Sequence, residues 1–242
     1  GRRPSQDATV VARRRAAGAV ILGKTVTTEL AVYTPGKTRN PRDLARSPGG
    51  SSSGSAAADA ACMVPGALGT QTNGSVIRPA SFCGIVGYKP SRGMASRRGV
   101  LTQSPLLDTI GTMARSIEDA ALIGDAIAGY DPADEAMRPS AAPRLAEIAG
   151  SPAPVRPQLA IVRTPVWERA EPDLVEAFAE LADILGDDTD SFDLPEPFDR
   201  ALELHRTILH ADIARNFAHY WDTGRDRLSE RLQGIIEDGR TI

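Results

Sequence analysis

Two separated loops carry hydroxyls set between glycines. The first is Ser47-Pro48-Gly49-Gly50-Ser51-Ser52-Ser53-Gly54-Ser55, and the second is Gly69-Thr70-Gln71-Thr72-Asn73-Gly74-Ser75. Glycine opens backbone angles closed to other residues and lets a ligand approach the main chain. A serine placed there is a nucleophile only if a base takes its proton. The usual base is histidine, but His205, His210 and His219 all fall in one late helical stretch and read as ordinary helix residues. No Gly-x-Ser-x-Gly elbow occurs, which argues against an α/β-hydrolase. A serine hydrolase without histidine points to a serine–lysine arrangement. Lysine is scarce: only Lys24, Lys37 and Lys89 occur, against 25 arginines.

A third motif competes. Gly18-Ala19-Val20-Ile21-Leu22-Gly23-Lys24-Thr25 matches the phosphate-loop pattern letter for letter. That loop turns its N–H groups onto phosphate and needs a strand before the first glycine and a helix after the lysine. Here the apolar run lies between the glycines, and an arginine-rich helix precedes them. The context argues against a nucleotide-binding ATPase.

The elements around these loops follow from local signals. Asp7 is the expected N-cap of a first helix, with Val10 and Val11 facing inward and Gly18 ending it. Ala19-Val20-Ile21-Leu22 reads as a short buried strand. The small residues Ala56 to Val64 read as a closely packed helix in which Asp59 needs a partner if buried. Phe82 to Tyr88 is an apolar segment broken by Gly84 and Gly87. Ser116 caps a helix with Ile117, Ala120, Ala121, Ile123 and Ile127 inward and Gly129 closing it. Residues 131–157 are Pro/Ala-rich, a connecting or partly disordered stretch. Leu159 to Val162 reads as a strand, Leu174 to Leu185 as an amphipathic helix and Phe198 to Phe217 as a longer one. Strands separated by helices imply an α/β architecture.

Composition sets the class. Apolar residues make up 41% of the 242 and charged residues 24%, enough for a packed core. No apolar run reaches the roughly 18 residues of a membrane span. Arg13-Arg14-Arg15 precedes only seven apolar residues, too few for an export signal. Cys62 and Cys83 make no disulfide framework, which fits a reducing cytoplasm. Residues 1–115 carry a net charge of +11 and residues 116–242 a net −14. The basic residues are scattered among few aromatics, so nucleic acid is not the expected partner.

The two serine loops together resemble the signature of the amidase signature family. Ala17 to Thr25, Asn40-Pro41, Arg78 to Gly84, Gly87-Tyr88-Lys89-Pro90 and Leu107-Asp108-Thr109-Ile110-Gly111 resemble further family segments. The resemblance is strong from about residue 7 to 132. It implies an amidase-signature fold with a central mixed sheet flanked by helices, here incomplete. Residues 1–242 then form one partial domain with its signature core at about 40–115. By resemblance Ser75 is the nucleophile, and Ser51, held after Gly50 by a cis peptide bond, relays its proton to a lysine. The backbone N–H groups of Thr72, Asn73, Gly74 and Ser75 form the oxyanion hole, with Thr70 and Ser52 in supporting contacts. The implied reaction is acyl transfer from a small-molecule amide to Ser75, then hydrolysis, with no metal or organic cofactor. A homo-oligomer is left open.

Departures from the pattern shape the expectation. The family's lysine lies some twenty residues before Gly1, and Lys24, Lys37 and Lys89 match other positions or none. The family's C-terminal third is not matched either. The chain is therefore expected to be an internal fragment and inactive by itself. Asn73 stands where glycine or alanine is usual, and Arg78 follows Ser75 by three residues instead of two. Three alternatives stand beside hydrolysis: a relative that amidates aminoacyl-tRNA within a multisubunit enzyme, a non-catalytic remnant acting as a binding module, and a phosphate-loop ATPase.

Overall fold

A computed structural model describes residues 4–242; Gly1, read above as the opening of a fragment, lies outside the described residues. The chain divides into two compact units, one formed by the described residues up to Gly150 with Leu209–Ile242, the other by Ser151–Ile208.

The first unit begins with α1, Thr9–Ala16. Its N-cap is Ala8 and not Asp7, because the Ala8 carbonyl accepts the first helical bonds from Val11 and Ala12. Asp7 instead pairs with Arg15 at 2.9 Å. Val10 is buried, Val11 only half-buried, and Gly18 turns the chain out at φ +87. The strand expected at Ala19–Leu22 does not form, and Val20 and Leu22 are 79% and 71% exposed. An apolar run becomes a strand only when a neighbouring edge takes its N–H and C=O groups, and no described strand does so. No α-helix starts at Lys24 either, the next helical residues being a single 3₁₀ turn at Glu29–Ala31, so the phosphate-loop context is absent.

Helix α2, Ser53–Ala60, starts three residues earlier than the alanine run and draws Ser53 to Ser55 out of the loop. Small side chains let it pack closely, with Ala56 fully buried. Asp59 is fully buried and finds its partner in Arg115, whose Nη1 lies 2.7 Å from the carboxylate. Burial pushes the Asp59 carboxyl up, and Arg115 opposes that shift.

The second serine loop is half strand: β1, Gly66–Gln71, contains Gly69 to Gln71. Then come α3, Ile77–Cys83, and β2, Val86–Tyr88. The apolar segment Phe82–Tyr88 is thus a helix end and a strand, divided at Gly84, whose left-handed φ of +65 closes α3. Strand β3, Thr109–Ala114, is buried throughout and pairs antiparallel with β1 on one side and β2 on the other. Helix α4, Ile117–Ile127, is capped as expected: Ser116 Oγ accepts from Asp119 N–H at 3.1 Å. Its inward stripe is Ala120, Ala121, Gly124 and Ile127. Ile123 is half-buried, and Ile117, expected inside, shares the face of Ala120 and Ala121 but lies in the first turn, where it lines an open cavity with them and is 63% exposed.

The Pro/Ala-rich stretch is more ordered than its composition suggests. Asp131 accepts from the Thr9 and Ser96 hydroxyls, both at 2.7 Å, and from Ala133 N–H at 2.9 Å. These bonds lower its pKa to about 2. Further on, α5, Leu145–Ala149, is held by Asp125, which accepts from Leu145 and Ala146 N–H.

The second unit holds β4, Leu159–Arg163, α6, Pro172–Leu185, and β5, Thr189–Asp193. The two strands pair in parallel from Leu159↔Thr189 to Arg163↔Asp193. The long helix begins as a 3₁₀ turn at Glu196–Arg200 and continues as α7, Ala201–Asn216. In the first unit α7 leads to α8, Ala218–Gly224, and α9, Glu230–Gly239. Leu209, Ile213, Phe217, Leu232 and Ile236 form a core with Val32. The fold is α/β, with its antiparallel strands in one unit and its parallel pair in the other.

Candidate active site

Ser51 and Ser75 are 4% and 5% exposed and line the same cavity, of about 360 Å³. The first loop reaches it under tight backbone constraint. Gly49 has φ +75, and a Cβ there would lie 2.9 Å from Pro79 Cα. A Cβ on Gly50 would lie 2.9 Å from Thr28 Cγ2. The Gly50–Ser51 peptide bond is cis. The Ser51 carbonyl accepts from Thr28 N–H at 3.1 Å and Ser53 N–H at 2.8 Å.

The two loops are joined main chain to main chain. Ser52 N–H donates to the Ser75 carbonyl at 3.3 Å. Ser52 Oγ accepts from Thr70 N–H at 3.2 Å, and Ser55 Oγ donates to the Leu68 carbonyl at 2.7 Å. So Ser52 and Thr70 meet as a brace between α2 and β1. No hydrogen bond joins the Ser51 and Ser75 hydroxyls themselves.

Between β1 and α3 the chain turns sharply. Gln71 Oε1 accepts from Val76 and Ile77 N–H at 2.9 and 3.0 Å, closing the turn from inside. The N–H groups of Thr72, Asn73, Gly74 and Ser75 donate to no acceptor among the described residues. Unsatisfied amides beside a buried hydroxyl are the arrangement that stabilises a developing oxyanion. Thr72 Oγ1 lies 2.6 Å from Asp108 Oδ1 and 3.0 Å from Gln103 Oε1.

Further side chains surround the two hydroxyls. Asn73 Nδ2 donates to Tyr33 Oη at 2.9 Å, and the Arg231 guanidinium lies over the Tyr33 ring at 4.8 Å. Arg78 Nε donates to the Gly50 carbonyl at 3.0 Å, and its guanidinium lies beside Gly74. Leu209 and Ile213 complete an apolar wall. Neither Arg78 nor Arg231 forms an ion pair among the described residues, and no Asp or Glu lines the cavity. None of the lining residues is a histidine or a lysine. Lys24 lines a different cavity, and Lys89 Nζ donates to the Pro90 carbonyl at 2.7 Å.

Sequence reasoning assigned no role to Tyr33, Gln103, Asp108 or Arg231. Asp108 belongs to the recognisable Leu107–Gly111 segment, so its motif was visible while its contact was not. Tyr33, Gln103 and Arg231 carry no local signal.

The model of the amidase family matches residues 1–240, and the chain belongs to the amidase signature family. It is 40% identical over 255 residues to a glutamyl-tRNA(Gln) amidotransferase subunit of Thermus thermophilus, covering 99% of this chain and 52% of that protein. Among solved structures it is similar to 6-aminohexanoate cyclic dimer hydrolase in complex with substrate, with TM-score 0.87, 33% identity, and coverage of 99% and 54%. It is also similar to the native peptide amidase of Stenotrophomonas maltophilia, with TM-score 0.73, 33% identity, and coverage of 97% and 51%. The chain spans about half the length of the curated relatives it matches. Enzymes of this family act on carbon–nitrogen bonds. No described helix is long and apolar enough to cross a membrane.

Proposed function

We propose that this protein cleaves a carboxamide C–N bond by acyl transfer to Ser75. The carrying observation is the run of N–H groups from Thr72 to Ser75 that meet no described acceptor, in a turn whose Asn73 and Ser75 line the same cavity as Ser51. Ser75 Oγ attacks the amide carbon and its proton leaves through Ser51. The carbonyl oxygen gathers charge against the amides, each worth about 2.7–4 kcal/mol in comparable sites. The C–N bond breaks as that proton returns through Ser51 to the nitrogen, which leaves as ammonia or an amine, and water then cleaves the ester, releasing the carboxylic acid and restoring the Ser75 hydroxyl. The base is none of this chain's three lysines, since none lines the cavity, so we place it outside these 242 residues. The chain alone is accordingly nearly inactive.

The curated relatives weigh on what happens to the released nitrogen. Those 38–51% identical are named as one of the subunits of a tRNA amidotransferase. This favours a catalytic subunit that works with partner subunits over a free-standing hydrolase of small amides. The two unpaired cysteines, one exposed and one buried, suit the cytoplasm. Two unpaired guanidiniums without a carboxylate favour an amide substrate that also carries an anionic group.

The test is covalent labelling of the protein expressed from its full reading frame. A fluorophosphonate should modify Ser75, located by peptide mass spectrometry, and Ser75→Ala should take up none. Labelling elsewhere, or none, removes the reading and leaves the binding-module alternative. Copurifying subunits, or ammonia release without them, separate the amidotransferase from the hydrolase.

A further inference from the structure

We propose that Asp108 is a positioning residue that works as a neutral carboxylic acid, donating its proton to Thr72 and so holding the 72–75 loop in place. The catalytic consequence rests on the function proposed above; the location of the proton does not.

The argument is an inventory of protons. Gln103 Nε2 faces two carbonyl oxygens, that of Leu30 at 3.2 Å and that of Ala31 at 2.5 Å. Reversing the amide would set its oxygen against both, so the orientation is decided by the network. Gln103 Oε1 must then face Thr72 Oγ1, 3.0 Å away. The same hydroxyl lies 2.6 Å from Asp108 Oδ1. A threonine hydroxyl has one proton and here meets two acceptors. The other carboxyl oxygen, Oδ2, already accepts from Gln103 N–H at 2.8 Å and Ser104 N–H at 3.1 Å.

With Asp108 ionised, Thr72 can satisfy only one neighbour, and two oxygens stand 3.0 Å apart without a proton between them. With the proton on Oδ1, every bond is made: Asp108 donates to Thr72, and Thr72 donates to Gln103. Asp108 is 8% exposed, and burial pushes its carboxyl up despite the bonds from Thr72, Gln103 and Ser104.

The charged groups around it do not cancel this. Arg97 is the cation acting on Asp108, but its guanidinium is held by Asp134 at 3.0 Å. Lys24 and Asp7, of opposite sign, line the neighbouring cavity with Asp108. From α7, Asp212 accepts from Ser104 Oγ at 2.5 Å and adds negative charge on that side. The chain Asp108–Thr72–Gln103–Ala31 thus ties the turn after β1 to the segment that lines the cavity through Ala31, Val32 and Tyr33.

The direct test is the carboxyl ¹³C resonance of Asp108 in the 242-residue chain, assigned by its loss in Asp108→Asn. It should keep its protonated position at about pH 5, where an ordinary aspartate with a pKa of about 3.9 is ionised. A resonance already at the ionised position there overturns the proposal. The second test is rescue in the full reading frame. Asparagine copies the neutral acid, with Nδ2 donating to Thr72 and Oδ1 accepting from Gln103 and Ser104. Asp108→Asn should keep kcat/KM within about threefold, with no alkaline loss due to this group, and Asp108→Ala should fall at least about thirtyfold. If Asn falls as far as Ala, an anion is required and the proposal is wrong. A carboxyl that titrates high in a protein whose Ser75 never reacts with fluorophosphonate upholds the proton and sinks the catalytic reading.

Discussion

The cavity is lined by two sets of residues built on different principles. Gly49, Gly50, Ser51, Asn73 and Ser75 come from two short loops whose backbones bond to each other, and an added methyl at Gly49 or Gly50 has no room. Tyr33, Leu209, Ile213 and Arg231 come from distant segments and meet through side chains alone. The first set offers a buried hydroxyl and free amides; the second offers an apolar wall and a cation. Chemistry that depends on backbone geometry tolerates few side chains, whereas recognition can be assembled from whatever the packing brings near.

That contrast makes graded predictions. Ser75→Ala should remove about 10⁴-fold or more of kcat in the full reading frame, because a nucleophile cannot be replaced by its neighbours; a loss under about tenfold would mean that the first set is not the chemical one. Gly49→Ala combines a left-handed φ with a Cβ 2.9 Å from Pro79 Cα. It should lower stability by about 2–3 kcal/mol in urea unfolding. Asp131, outside both sets, contributes to stability against acid. Its folded pKa of about 2 is depressed, so its contribution is present above about pH 4 and is lost as pH falls towards 2. Asp131→Asn should flatten that part of the stability curve, an effect of about 1–2 kcal/mol. Smallest is Arg231→Gln, which should leave kcat on a neutral amide unchanged and raise KM for a carboxylate-bearing amide about fivefold, about 1 kcal/mol. Equal effects on both substrates would deny the second set any part in recognition.

How much of this was legible follows the range of the interactions. The Ser116 cap, the Gly18 stop and the helix at Pro172–Leu185 depend on residues a few places apart, and their signals could be read. Ala19–Leu22 has the pattern of a strand yet lies exposed, because pairing needs an edge that pattern does not report. Asp59 announced that it needed a partner without saying that it was Arg115, 56 positions away. The Asp108 segment was recognisable, but the contact that gives it a role crosses from residue 108 to residue 72.

From the chain of letters alone came the family, the two hydroxyl loops and their spacing, because these are properties of residue type and order. Folding alone decided that Asp108 would face Thr72 and that Arg231 would lie against Tyr33. The physical reason is that hydrogen bonding, burial and charge are pairwise and act through space. A residue's chemistry is written in its side chain, whereas its state depends on neighbours that only the packed chain supplies.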